Sequence, residues 1–252
     1  RAQNQLLEID SWALRFDLEE TRRFLEHEGL GQLDPEELKL LHERTEGWSA
    51  ALRIVASTFS QSGQNFGQYV RQLSGTLRPI GAYLAEMIDS LPRAMALFML
   101  RIAVLDKFSA PLCQAITQDT SSQELLESIA RRRLLLVPLD HDGRWYRYHT
   151  LMTAYLRQRL EAQLKGDEVA ALHHRASHWY ASQELWTEAV QHAIAAGDTK
   201  QAASWIKNCA MTLVKKGDML TLLGWQRLFP MAHSPIELKL AIGWGMALAI
   251  RL

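Results

Sequence analysis

Residues Leu134–Leu160, "LLLVPLDHDGRWYRYHTLMTAYLRQRL", decide how this chain is read. Two short apolar and aromatic runs, "LLLVPLD" and "RWYRYH", flank "DHDG", a turn signal, and together they predict a β-hairpin. Pro138 has no N–H to give to a ladder, so the first strand is expected at an edge. Beyond the hairpin the period changes. Leu151, Tyr155, Leu156 and Leu160 recur at helical spacing.

Working outward, the preceding segment is helical. Ile80, Leu84, Met87, Ile88 and Leu91 form one apolar stripe, and Pro92 opens a helix containing Leu97, Phe98 and Ile102. A shorter helix is expected over about 110–117, and Ser121-Ser-Gln-Glu124 starts another that carries Leu125, Leu126 and Ile129. Short helices, a two-stranded hairpin and a closing helix make a winged-helix-like unit. Nearer the N-terminus, Asp17 stands three residues before Glu20, and Asp34 three before Glu37 with Pro35 between, both capping-box arrangements. Leu38 and Leu41 carry the second of these helices toward Gly47, a plausible stop, and "SQSGQNFGQ" at 60–68 is a polar loop. After "LKGDE" the pattern is wholly helical, with small residues and short turns such as Ala196-Gly-Asp198, the texture of a degenerate helical repeat.

Composition restricts the function classes. The chain of 252 residues carries 28 basic and 28 acidic side chains, so no global charge draws it to nucleic acid or an anionic membrane. Cys113 and Cys209 match no metal spacing and are expected buried or inert, in a reducing compartment. Leu240–Ile250 is too short to span a bilayer and reads as a buried helix. The start at Arg1 and the end within a helical pattern read as a piece of a longer protein. No Walker-type loop or G-x-G-x-x-G is present, so the chain by itself is not expected to be an enzyme.

The candidate sites each have a plain alternative. His174 and His178 share a helix face beside His173, but "HHRASH" lacks the glutamate of a zinc-protease motif, and packing or surface roles are expected. Arg131-Arg-Arg133 reads as a solvated helix C-terminus, or as a contact to DNA phosphates. In an extended strand Trp145, Arg147 and His149 share one face. His149 is then either a core histidine bonded to a carbonyl or, beside Arg147 and a helix N-terminus, a donor to an anion.

In order, "RAQNQLLEIDSWALRF", "TEGWSAALRIVA", the hairpin–helix stretch and "HWYASQELWTEAVQHAIAAGDTKQAASWI" resemble the MalT-like large ATP-dependent regulators of the LuxR class, within the signal-transducing (STAND) NTPases. The resemblance implies a mainly α fold in four parts. Residues 1–16 would be the tail of a nucleotide-binding domain, and 17–78 a helical arm. Residues 79–163 would be a regulatory winged helix with a small β-hairpin, and 164–252 the start of a TPR-like helical superhelix. It further implies a bacterial, cytoplasmic transcriptional activator that is a slow ATPase as a whole. Inducer sensing would control self-association, and DNA would be bound by a helix-turn-helix elsewhere in the parent. ATP or ADP with Mg would be held by the parent. His149 would stand where relatives hold the β-phosphate of ADP, with Arg147 beside it. Gly47 and Trp48 would stand where they carry a Gly-x-Pro motif near the adenine, a pattern from which Trp48-Ser49 departs. The rival expectation is a nucleotide-independent helical-repeat and winged-helix adaptor for a protein partner; DNA binding through the wing is another.

Overall fold

The computed structural model describes residues 15–30, 33–59, 65–72, 78–132, 134–140, 142–228 and 235–249. The segment expected to end a nucleotide-binding domain, apart from Arg15 and Phe16, lies outside the described residues, as do Arg133, His141 and positions 60–64 of the polar loop. In chain order the elements are helices α1 (Leu18–His27), α2 (Pro35–Thr45), α3 (Ser49–Phe59), α4 (Phe66–Gln72), α5 (Arg78–Asp89), α6 (Arg93–Ile102), α7 (Ala110–Thr117) and α8 (Ser122–Arg131). Strands β1 (Leu136–Pro138) and β2 (Tyr146–Tyr148) follow, then α9 (Thr150–Gln163), α10 (Gly166–Ser182), α11 (Trp186–Ala195), α12 (Thr199–Lys215), α13 (Met219–Leu228) and α14 (Ile236–Ala249). Among the described residues the fold is mainly helical with one small antiparallel sheet, as the sequence predicts. Among the described residues no helix is long and apolar enough to cross a membrane.

Two compact units divide the chain, one of residues 1–108 with 124–159 and the other of 109–123 with 160–252. In the first unit, both capping boxes form: Asp17 accepts from the Glu20 N–H at 2.7 Å, and Asp34 from the Glu37 N–H at 2.8 Å, with each glutamate reaching back to the cap. Each satisfies two backbone donors that a helix start otherwise leaves unpaired. Leu25, Leu41, Leu52 and Val55 bury the inner faces of α1, α2 and α3.

The hairpin pairs Leu136 with Tyr148 and Pro138 with Tyr146, so Pro138 lies on an edge strand as its chemistry requires. On the other side of β2, Phe108 and Tyr146 exchange backbone hydrogen bonds of 2.8 Å. Phe108 and Tyr148 pack ring to ring at 4.9 Å, and the Tyr148 hydroxyl donates to the Met99 carbonyl at 3.3 Å. Aromatic burial of this kind contributes roughly 1.5–3 kcal/mol per side chain and anchors the hairpin. Arg157 then ties α9 to the residues after α6, donating to the Ala103 carbonyl at 3.0 Å and to Asp106 at 2.7 Å.

In the second unit, α10, α11 and α12 pack in sequence order, α14 packs on α12 and α13, and α7 packs on α10. Gly197 and Gly217 adopt positive φ at the short turns after α11 and α12. Val190, Ile206, Leu222, Trp225 and Leu238 share one core. The buried Ser177 hydroxyl donates to the Ala189 carbonyl at 2.8 Å and accepts from the Trp205 indole at 2.9 Å. Both cysteines are buried, and burial pushes the Cys209 thiol up to about 11.

One expectation needs correction. The apolar run Leu240–Ile250 falls in α14 as far as Ala249, Ile250 lying outside the described residues, and among those described Leu238 and Ala241 are enclosed, whereas Leu240, Trp244 and Met246 are more than half exposed. A helix that is apolar all round needs neighbours all round, and within the unit α14 packs on α12 and α13.

Candidate functional site

The C-terminus of α2 and the N-terminus of α9 meet in the first unit. α2 ends at Thr45, and the next two residues both take the left-handed conformation, Glu46 with φ 48° and Gly47 with φ 68°. That double turn reverses the chain into Trp48 and α3. It brings the Gly47 carbonyl to the Phe16 N–H at 2.9 Å. On the opposing side, β2 ends at Tyr148, and His149 immediately precedes α9.

His149 is buried, 1% exposed, and both ring nitrogens are engaged. Nδ1 lies 3.2 Å from the Leu151 N–H, a group that can only donate, so Nδ1 carries no proton. Nε2 therefore bears the hydrogen and donates to the Thr45 carbonyl at 3.1 Å. The same carbonyl accepts from the Trp48 N–H at 2.9 Å. The ring thus caps α9 from one face and ties it to the end of α2 from the other. Burial holds the imidazole pKa down at about 4, against the opposing pull of Glu46, with Arg15 and Arg147 reinforcing the depression. His149 is neutral at pH 7.

Arg147 projects to the same side as His149, as alternation along the strand predicts, and forks onto Glu46. Its Nη1 and Nη2 donate to the two carboxylate oxygens at 3.0 and 2.8 Å. Arg15 donates to Glu46 at 2.9 Å, the Thr150 backbone N–H at 2.8 Å, and the Thr150 hydroxyl completes the set. Although burial alone would raise it, the Glu46 carboxyl is held far below the usual carboxylate range by its bonds to Arg147 and Thr150. Glu46 thus fills the place at the α9 N-terminus where an anion is favoured.

Sequence reasoning brought Arg147, His149, Gly47 and Trp48 forward, and the fold assembles all four. Trp48 meets the His149 ring edge-on at 5.7 Å and Tyr83 at 5.9 Å. Beside these rings lies a cavity of about 290 Å³ lined by Arg15, Trp48, Tyr83, Met87, Leu135 and His149. Glu46, Arg15 and Thr150 were missed. The available signal was electrostatic: a glutamate just past a helix C-terminus opposes the helix dipole by roughly 0.3–1 kcal/mol, so it calls for a cation from elsewhere.

Elsewhere, Arg131 is exposed at the end of α8 and paired with Glu127 at 3.8 Å. His173 and His192 approach at 2.8 Å between Nδ1 atoms, and His174 and His178 lie ring to ring at 4.5 Å. Among the described residues no three His, Cys, Asp or Glu side chains converge as metal ligands.

The Glu46–Arg147 fork should carry measurable stability. Glu46 is only 13% exposed and Arg147 30%. Arg147→Met leaves a mostly buried carboxylate with fewer donors and is expected to cost about 2 kcal/mol. A double-mutant cycle with Glu46→Gln, read by urea unfolding, should return a coupling of about 1–2 kcal/mol. Additive costs would mean that the fork contributes nothing.

Residues 84–168 match the model of the MalT winged helix domain. Over its whole length the chain is 35% identical to the serine/threonine-protein kinase PknK of Mycobacterium tuberculosis, covering 23% of that protein. It is 29% identical over 90% of its length to the HTH-type transcriptional regulator MalT of Klebsiella pneumoniae, and 31% identical over 88% to MalT of Cronobacter sakazakii, covering 26% and 25% of those proteins. The chain therefore spans about a quarter of the length of these relatives. The hairpin and closing helix lie inside the matched region, so residues 84–168 form a winged-helix domain like that of MalT, in a chain similar to MalT along most of its length.

Proposed function

We propose that this chain is the central regulatory segment of an ATP-dependent transcriptional activator, in which nucleotide state controls the contact between the arm and the winged helix. The observation that carries the reading is the meeting of Gly47–Trp48 with Arg147–His149, about a hundred positions apart in sequence, beside an aromatic-walled cavity. Trp48 and Tyr83 suit the faces of a purine ring. The phosphate end is a different matter, because the donors of Arg147, His149 and the Thr150 N–H are already engaged by Glu46 and Thr45. In this arrangement Trp48 and Tyr83 offer aromatic surface for a base, and the engaged donors do not fit the phosphates. Inducer sensing by the helical second unit, self-association and DNA binding elsewhere in the parent complete the reading.

The test uses the full-length parent. Bound ADP and ATP are quantified after purification, for the wild type and for His149→Ala checked for folding by circular dichroism. ADP in the wild type and its loss in the folded variant is the expected result. ADP retained equally would return His149 to a packing role. No nucleotide in either, even after incubation with ATP and Mg, would favour the nucleotide-independent adaptor.

A second reading keeps the regulatory role and changes the output. The 35% identity to PknK extends across the whole chain, against 29% over 90% for MalT, so a kinase parent is supported by its own observation. Autophosphorylation of the full-length parent with ATP, set against its binding to DNA, separates the two.

A further inference from the structure

We propose that Glu46 is a built-in competitor for the phosphates of a nucleoside diphosphate: its carboxylate latches the α9 N-terminus to the end of α2, and Arg147 and the Thr150 N–H serve the ligand only when Glu46 withdraws. The inference rests on the nucleotide reading above and adds how that site is regulated. Both guanidinium nitrogens of the Arg147 fork, one from Arg15, and the N–H and hydroxyl of Thr150 all point at this one carboxylate. A phosphate oxygen on the same fork needs the same hydrogens, so the two occupants exclude each other.

The backbone at Glu46 is left-handed, as it is at Gln118, Leu135 and Glu184, and is set apart from these by a second left-handed residue, Gly47, directly after it. A left-handed residue after a helix is ordinarily Gly or Asn, because a Cβ crowds the following carbonyl in that conformation. Glu46 adopts it nonetheless, and Gly47 continues it. A carboxylate at this helix end also opposes the dipole. Both costs are offset by the Arg147, Arg15 and Thr150 contacts, so loss of the contacts frees the turn to relax. The latch faces an open depression that Asp17, His42 and Glu43 also line, so the Glu46 carboxylate is reached directly from solvent.

The experiment titrates ADP into the full-length parent and into Glu46→Asn. Asparagine tolerates the left-handed conformation and is too short to fork with Arg147, so the turn keeps its shape while the competitor is gone. Glu46→Gln, which keeps the length and loses the charge, carries the same test if the asparagine variant does not fold. The expected result is roughly tenfold tighter ADP binding, the factor by which a site about 90% latched hides its intrinsic affinity. Adding Arg147→Met should abolish that gain. ADP binding by the wild type that is unchanged or weakened in both folded Glu46 variants overturns the latch and leaves the nucleotide reading standing. Binding only by the Glu46 variants supports the latch in its strongest form. No binding by wild type or variants overturns both.

Discussion

Between pH 6.5 and about 4 the first unit is expected to lose on the order of 3 kcal/mol of stability through His149 alone. The folded ring titrates at about 4, and the unfolded one at its ordinary 6.5. Across that window the unfolded chain takes up a proton that the folded chain refuses, so stability falls as pH falls and is fully present above 6.5. About 2 kcal/mol of it should be gone by pH 5. The charged groups facing the ring are Glu46, Arg15 and Arg147. Glu46 keeps its charge through this range, being held far below it, and Arg147 is pushed up by its bonds to Glu46. His149→Gln can still offer an N–H to Thr45 and does not titrate. Urea unfolding at pH 7 and pH 5 should therefore show a steep loss for the wild type and about 2 kcal/mol less loss for the variant. Equal losses would mean that the folded ring protonates as freely as the unfolded one.

Gly47→Ala is expected to cost at least about 3 kcal/mol, where Gly217→Ala costs about 1. Both glycines have φ near 70°, and each alanine bears the same conformational penalty. They differ in surroundings. A Cβ at Gly217 meets nothing within 4 Å, whereas one at Gly47 runs into the Phe16 carbonyl, part of the backbone that pairs with Gly47. A backbone neighbour cannot turn aside as a flexible side chain can, so the pairing between Phe16 and Gly47 must open. Thermal unfolding of the two variants side by side measures the difference. Similar losses would show that the strand of chain at Arg15–Phe16 shifts freely, and Arg15 with it.

Much of the fold was legible residue by residue. Asp17 and Asp34 announced their helices because a capping box closes within four positions, and Pro138 announced an edge strand because a missing N–H has only one comfortable place. Alternation along "RWYRYH" put Arg147 and His149 on one side for the same local reason. The exposure of Leu240 and Trp244 was not legible, because apolar residues around a whole helix say how much partner surface it wants and not how much it has.

By itself, the sequence determined the elements and the pairing of neighbours along them, since those interactions span three or four residues or one hairpin. Only the tertiary structure decided what Arg147 and His149 touch. Their partners, Glu46 and Thr45, lie more than a hundred positions away and reach them through two successive left-handed residues. A chain reversal of that kind depends on what it packs against, so the sequence could name the histidine and the arginine but not the carboxylate that holds them.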